Sequence, residues 1–146
     1  MKHDFEKLTI IKVRKSSEQN LNSDLQWFSN SLGLFGERDK EKSCFRVFVE
    51  LVKAARKRKP MSSDEIALKS NLSRATVIHH LNKLIESGLI TIENNCYILR
   101  ENNLEDLVEE IKKDTLRIFQ DLQLMAEEID EELGFPYKKK NQTIVD

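Results

Sequence analysis

Residues 61–88 have the sequence MSSDEIALKSNLSRATVIHHLNKLIESG, and this stretch decides the fold. Ser63-Asp64-Glu65 is typical of a helix start, because a serine hydroxyl accepts a backbone amide proton and acids favour the positive end of the helix dipole. Asn71-Leu72 breaks that helix. Ser73 then caps a second helix, which ends at Gly88, where a left-handed residue is favoured. The stretch therefore predicts two short helices joined by a tight turn.

The second of these helices, residues 73–87, has two unlike faces. Val77, Leu81, Leu84 and Ile85 recur at helical spacing and are predicted to face a core. The rest of its surface is polar and contains no acid before Glu86. It carries Arg74, Thr76, Ile78, His79, Asn82 and Lys83. A helix that lies in the major groove of DNA needs a face of this kind.

The segments around this pair complete a recognisable order of elements. Residues 40–57 have a wide apolar face and are predicted to form a helix, which Pro60 ends. Residues 89–93 and 96–100 are β-rich and flank Asn94-Asn95, because asparagine tolerates the positive φ of a tight hairpin. Helix, helix, recognition helix and hairpin is the order of a winged helix-turn-helix domain, in which the hairpin is the wing.

Residues from about 40 to 100 resemble the winged helix-turn-helix of the ArsR-type and related prokaryotic transcriptional regulators. The likeness lies in SRATVIHHLNKLIESGLI, residues 73–90, which looks like that family's recognition helix running into the wing. The resemblance implies that Ser73, Arg74, Thr76, Ile78 and His79 lie where such proteins touch DNA. The family often has Ser or Thr where this chain has Ile78, and that departure offers an apolar contact, such as a thymine methyl, instead of a hydrogen bond. The Cys-x-Cys type motif and the His/Asp-rich helix of the family's metal sensors are missing, so metal sensing is not implied.

The formal net charge of −1 conceals an asymmetry along the chain. Residues 37–100 carry 13 Lys/Arg and 8 Asp/Glu, whereas residues 101–146 carry 6 Lys/Arg and 13 Asp/Glu. Phosphate affinity depends on the local patch and not on the total, so a basic middle segment is compatible with nucleic-acid binding. The run RKRK at residues 56–59 has two interpretations, a solvated helix end or a grip on phosphate, and the sequence leaves both open.

Residues 103–133 are predicted to form one long amphipathic helix with an apolar heptad repeat. We expect this helix to pair with a second copy of the chain, and folding back as an intrachain brace is the alternative. The predicted dimerisation residues are Leu104, Val108, Ile111, Ile118, Leu122, Met125 and Ile129. Residues 135–146 are predicted to form a flexible tail.

The first 36 residues are less informative. LTIIKVR, residues 8–14, is β-branched and partly alternating, which favours a strand, and a helix is expected at about residues 23–34. Trp27 and Phe28 are interpreted as core residues, with a small-molecule pocket as the alternative. The predicted organisation is an N-terminal extension (1–36), a winged helix-turn-helix domain (37–100), a dimerisation helix (101–134) and a tail.

Several classes of function find no support in the sequence. We find no nucleophile elbow, phosphate loop or HExxH motif, so we expect neither an enzyme nor a cofactor. Cys44 and Cys96 lie far apart, which favours neither a disulfide framework nor a zinc knuckle. His79 and His80 point about 100° apart on a helix and do not easily share one metal ion, so His80 is expected to have a structural role. No apolar run approaches ~20 residues and the N-terminus lacks a signal peptide, so a cytoplasmic protein without a membrane partner is expected.

The sequence therefore predicts a mainly α protein, a winged helix-turn-helix with a short β-hairpin wing and a long C-terminal dimerisation helix. The predicted function is a sequence-specific DNA-binding transcriptional regulator that acts as a homodimer on double-stranded DNA. The alternative is a winged-helix protein–protein adaptor, favoured by the acidic C-terminal segment. A small-molecule effector stays open and unidentified. The candidate DNA-binding residues are Ser62, Ser63, Ser73, Arg74, Thr76, Ile78, His79, Asn82, Lys83, Asn94 and Asn95.

Overall fold

The computed structural model describes residues 7–34 and 41–136, which contain five helices and three short strands. In chain order these are α1 (Leu21–Ser31), α2 (Ser43–Ala55), β1 (Met61–Ser62), α3 (Ser63–Ser70), α4 (Arg74–Glu86), β2 (Ile90–Glu93), β3 (Cys96–Leu99) and α5 (Leu104–Leu133). Contacts divide the chain into a first unit, Met1–Ile111, and a second unit, Lys112–Asp146. The predicted start of α2 at Lys40 and residues 137–146 of the predicted tail lie outside the described residues.

The three strands form a small antiparallel sheet in the order β1-β3-β2. Ile92 pairs with Tyr97 across the β2–β3 hairpin, and Met61 pairs with Tyr97 from the other side. Asn94 and Asn95 turn the hairpin with φ values of 50° and 63°, which confirms the predicted tight turn. The sequence did not predict β1, because two residues are too short to show a period.

Local capping sets the ends of the helix pair α3–α4. Ser62, and not Ser63, caps α3: its hydroxyl accepts the Glu65 amide at 3.1 Å while the Glu65 carboxylate accepts the Ser62 amide at 3.4 Å. Asn71 ends α3 in the left-handed conformation at φ 56°. Ser73 accepts the amide of the third residue after it and caps α4, and Gly88 follows α4 with φ 76°, both as predicted.

α2 is the central helix of the core in the first unit. The predicted core residues Val77, Leu81 and Leu84 of α4 are fully buried, whereas Ile85 is half-buried. The core consists of Leu34, Cys44, Val47, Phe48, Leu51, Ala55, Met61, Ile66, Val77, Leu81, Leu84, Leu89, Ile90, Leu99, Leu107 and Ile111. Its apolar side chains come from four helices and the sheet, so burial of this shared surface fixes the position of α4.

The predicted strand at residues 8–14 is not formed. The segment belongs to no helix and no sheet: Ile11 N–H donates to the Ser31 carbonyl at 2.8 Å, and the Val13 carbonyl accepts from Trp27 Nε1 at 2.9 Å. These bonds tie it to α1, which begins at Leu21 behind the Asn20 cap. These backbone groups of the segment therefore form hydrogen bonds with a helix rather than with a neighbouring strand. A β-branched sequence pattern does not predict this outcome.

α5 contributes differently to the two units. In the first unit Leu107 and Ile111 are 0% and 4% exposed and belong to the core, and Leu104 packs against that core. Ile111 was predicted to lie in a dimer seam, and this prediction is wrong because the residue is buried within its own chain. In the second unit Ile118, Leu122, Met125 and Ile129 are exposed. The whole arrangement is a mainly helical winged helix-turn-helix with a long C-terminal helix.

Candidate nucleic-acid interface

The outward face of α4, which we define as Ala75, Ile78, His79, Asn82 and Glu86, lies opposite the buried side of the helix. Ala75, His79 and Asn82 are exposed, and Ile78 and Glu86 are half-buried. The spacing of these residues follows from the helical repeat, since the buried residues of α4 occupy the other half of the turn. Thr76 and Lys83 flank one edge of this face and Arg74 the other. Ala75 is a surface residue that the sequence analysis missed, although the same helical count places it there.

The hydroxyl groups of Ser62 and Ser73, two of the predicted DNA-binding serines, already have local partners. Ser73 Oγ accepts the Thr76 amide at 3.2 Å and donates to Thr76 Oγ1 at 2.9 Å. Ser62 Oγ caps α3, and the Glu65 carboxylate lies beside it at 3.5 Å. Ser63 is half-buried in the first turn of α3. These side chains build the two helix starts, and the nearby carboxylate disfavours an anion at the start of α3.

Arg74, at the first position of α4, is the arginine closest to the outward face. Its Nε lies 3.4 Å from Asp64 Oδ1, and both side chains are largely exposed. An exposed ion pair of this kind contributes little to stability. The ion pair does place the guanidinium beside α3. To bind a DNA group, Arg74 therefore has to break its contact with the Asp64 carboxylate.

Arg46 of α2 stabilises the turn between α3 and α4 by hydrogen bonds. Its Nη2 donates to the carbonyl of Ser70 and, at 3.3 Å, to the carbonyl of Asn71. These carbonyls belong to the end of α3, where the helix leaves carbonyl groups unsatisfied. The sequence analysis missed this residue. The sequence feature that could have identified Arg46 is its position between Phe45 and Val47, as a single arginine in an otherwise apolar stretch.

His80 links α4 to α2 in the interior. It is 7% exposed, and its Nε2 lies 2.6 Å from Ser43 Oγ, which confirms the predicted structural role. The rings of His79 and His80 meet edge to face with centroids 5.3 Å apart, and His79 is exposed. Ser43 and Arg46 lie one turn apart on α2, so the same helix holds both α4 and the turn before it.

The wing carries no positive charge. Residues 89–99 contain no Lys or Arg, and Glu93 precedes the turn at Asn94-Asn95, which is exposed. Ile92 is exposed on β2. Any contact of this wing with a duplex therefore depends on neutral amides rather than on charge attraction to phosphate.

The basic cluster, residues 56–59, lies at the other end of the sheet from the wing tip. All four of its side chains are exposed, and Arg58 Nη1 donates to the Glu101 carbonyl at 3.5 Å, beyond the end of β3. Asn94 and Asn95 precede the start of the same strand. The basic cluster, four of the 13 Lys/Arg residues of the middle segment, is therefore remote from the wing tip.

Trp27 separates two open grooves on the N-terminal extension. One, of about 550 Å³, is lined by Lys15, Ser16, Glu18, Gln19, Ser23, Asp24, Trp27 and Phe28. Lys15 Nζ lies 5.1 Å from the centre of the indole ring, and Phe28 stacks on Phe48 with centroids 6.4 Å apart. Both rings are half-buried, and Phe28 packs against the core as predicted, whereas Trp27 is not part of the core. The chemistry of the groove does not single out a ligand.

Two further features bear on what the site can hold. Within residues 7–34 and 41–136, no group of three or more His, Cys, Asp or Glu side chains is placed to hold a metal ion. None of the described helices is both long and apolar enough to cross a membrane.

Comparison with known proteins agrees with this geometry. Residues 51–91 match a family model described as winged helix-turn-helix DNA-binding. The match runs from the second half of α2 through the helix pair into β2 and so contains the whole of α4. No curated protein and no solved structure matches the chain. The fold is thus that of a winged helix-turn-helix, and residues 51–91 are similar to a winged helix-turn-helix DNA-binding domain.

Proposed function

We propose that this protein is a sequence-specific DNA-binding transcriptional regulator that acts as a homodimer and inserts α4 into the major groove. The observation that carries the proposal is the division of α4 into a buried side that packs on the core and an outward face that carries both polar and apolar side chains, in a segment that matches DNA-binding domains. A helix that packs against the core with one side and exposes its other side to solvent has the form that insertion into a DNA groove requires.

In this proposal the candidate residues divide by role. Ile78, His79 and Asn82 approach base edges, whereas Arg74 and Lys83, at the two margins of the outward face, contact base edges or phosphates. Ser62, Ser63, Ser73 and Thr76 contribute mainly by fixing the helix starts. Asn94 and Asn95 approach the minor groove or its phosphates.

The proposed homodimer rests on α5. Ile118, Leu122, Met125 and Ile129 recur at heptad spacing in the second unit, and each is at least 37% exposed in the single chain. A continuous exposed apolar stripe of this length is uncommon on a monomeric protein. A second copy presents the same stripe, so a twofold pairing covers both at once.

The double variant Arg74→Ala/Lys83→Ala tests the DNA proposal. We expect its affinity for a mixed-sequence duplex to fall roughly tenfold or more, because it loses one contact at each margin of α4. The matched control is Lys57→Ala/Lys59→Ala, which removes the same charge from the basic cluster and is expected to weaken binding by less than about threefold. Fluorescence anisotropy at low salt measures both. Equal losses in the two variants would contradict the assignment of α4.

A protein–protein adaptor is the second candidate function. The observation that favours it is the charge around α4: Asp64, Glu65, Glu86 and Glu93 lie on α3, α4 and the wing, while the basic cluster lies elsewhere. An adaptor would show no salt-dependent binding to duplex DNA, so the same titration separates the two functions.

A further inference from the structure

We propose that the outward face of α4 selects A·T base pairs, which it recognises by contact with thymine methyl groups and with adenine. This inference rests on the proposed DNA-binding function and names the base pairs that the same surface takes. It follows from which side chains α4 exposes and which polar groups are already engaged.

Two of the outward-face residues in the first two turns of α4 are apolar. Ala75 is exposed and Ile78 half-exposed, and both lie in the first two turns of α4. Residues in the first turns of a recognition helix are among those that contact base edges. The thymine methyl is the apolar group that the major groove displays, so a methyl side chain and a branched alkyl side chain are suited to thymine.

Groups that recognise guanine are poorly placed on this face. Guanine offers two acceptors, which arginine or lysine satisfies as a donor. Arg74 lies at one margin of the face, with its Nε 3.4 Å from Asp64 Oδ1, and Lys83 lies at the other margin. The donors that would recognise guanine therefore lie at the margins of the face and not at its centre.

Asn82 supplies the polar half of the preference. It is exposed one turn beyond Ile78 and His79 on the same face. A carboxamide both donates and accepts, and so it matches the N7 acceptor and N6 donor of adenine in a bidentate pair. Alkyl contact to thymine and amide contact to adenine together specify a short A·T segment under α4.

In vitro selection tests the inference directly. A pool of duplexes with a random central segment is incubated with the full chain at low salt, and the retained duplexes are sequenced. We expect enriched duplexes that share A·T steps. The best duplex is then made again with deoxyuridine in place of thymidine, which removes only the methyl groups, and the affinity is expected to fall about fourfold for each contacted methyl.

Two variants assign the effect to residues. Ile78→Ser is expected to reduce the discrimination between thymine and uracil to the part that Ala75 supplies, whereas Asn82→Ala is expected to keep it in full but to relax the preference for adenine. Equal affinity for the thymine and uracil duplexes, or salt-dependent binding with no A·T enrichment, would overturn this inference alone. Failure to retain any duplex at low salt would overturn the proposed function as well.

Discussion

The Leu122→Glu variant is expected to be monomeric at concentrations where the wild-type chain is a dimer. Leu122 lies in the centre of the exposed stripe of α5 and is 58% exposed in the single chain. In a dimer its side chain would be covered by the partner, and a carboxylate there would be buried without a counter-ion, which costs several kcal/mol. Multi-angle light scattering coupled to gel filtration measures the mass of each species.

Leu124→Glu provides the matched control for this substitution. Leu124 is also on α5 and is 63% exposed, but two residues further on it points about 200° away around the helix. We expect this variant to remain dimeric with the same charge change. If the two variants dissociate equally, or if the wild-type chain is itself a monomer, the stripe is not a dimer seam. Since paired half-sites need two domains, Leu122→Glu should also weaken specific DNA binding strongly.

The Arg46→Ala variant is expected to lower the free energy of unfolding by roughly 1.5–3 kcal/mol, because hydrogen bonds that involve a charged group contribute about this much. Arg46 is half-buried, and its guanidinium satisfies two carbonyl groups at the end of α3. Loss of these bonds also frees the turn that orients α4, so the DNA affinity should fall in addition. Chemical denaturation and anisotropy report the two effects.

Arg56→Ala is the control for Arg46→Ala. Arg56 follows α2 and is exposed, so its removal is expected to change stability by less than about 0.5 kcal/mol. Arg46→Lys keeps the charge but not the forked donor, and it should recover only part of the loss. If Arg46→Ala unfolds at the same denaturant concentration as Arg56→Ala, Arg46 does not hold the turn.

The parts of the fold that were predictable from the sequence are those that local chemistry decides. The Ser73 cap, the left-handed Gly88 and the Asn94-Asn95 turn each depend on a few neighbouring residues. The buried side of α4 follows from its period alone. In contrast, β1 exists only because Met61 and Ser62 meet β3, more than thirty residues later in the chain. No local sequence pattern predicts a pairing between residues so far apart in the chain.

The candidate interface was predictable in composition but not in arrangement. Helical spacing identified Ile78, His79 and Asn82 as surface residues of α4, and the structure agrees. The net positive charge of residues 37–100 suggested a basic interface. The folded chain instead separates the basic cluster from the wing tip, because residues 56–59 and the wing turn lie at opposite ends of β3. Similarly, the spacing of Ile111 fits a heptad seam, but its side chain is buried in the core of its own unit.

A salt titration of wild-type binding to mixed-sequence duplex DNA tests the central claim most directly. Each phosphate neutralised by the protein contributes about −0.9 to the slope of log affinity against log salt concentration. The account predicts measurable binding at low salt and a linear decrease with a slope steeper than about −2, since Arg74 and Lys83 of each protomer are available to phosphates. Absence of binding at low salt, or an affinity that salt does not change, would contradict it and favour the adaptor.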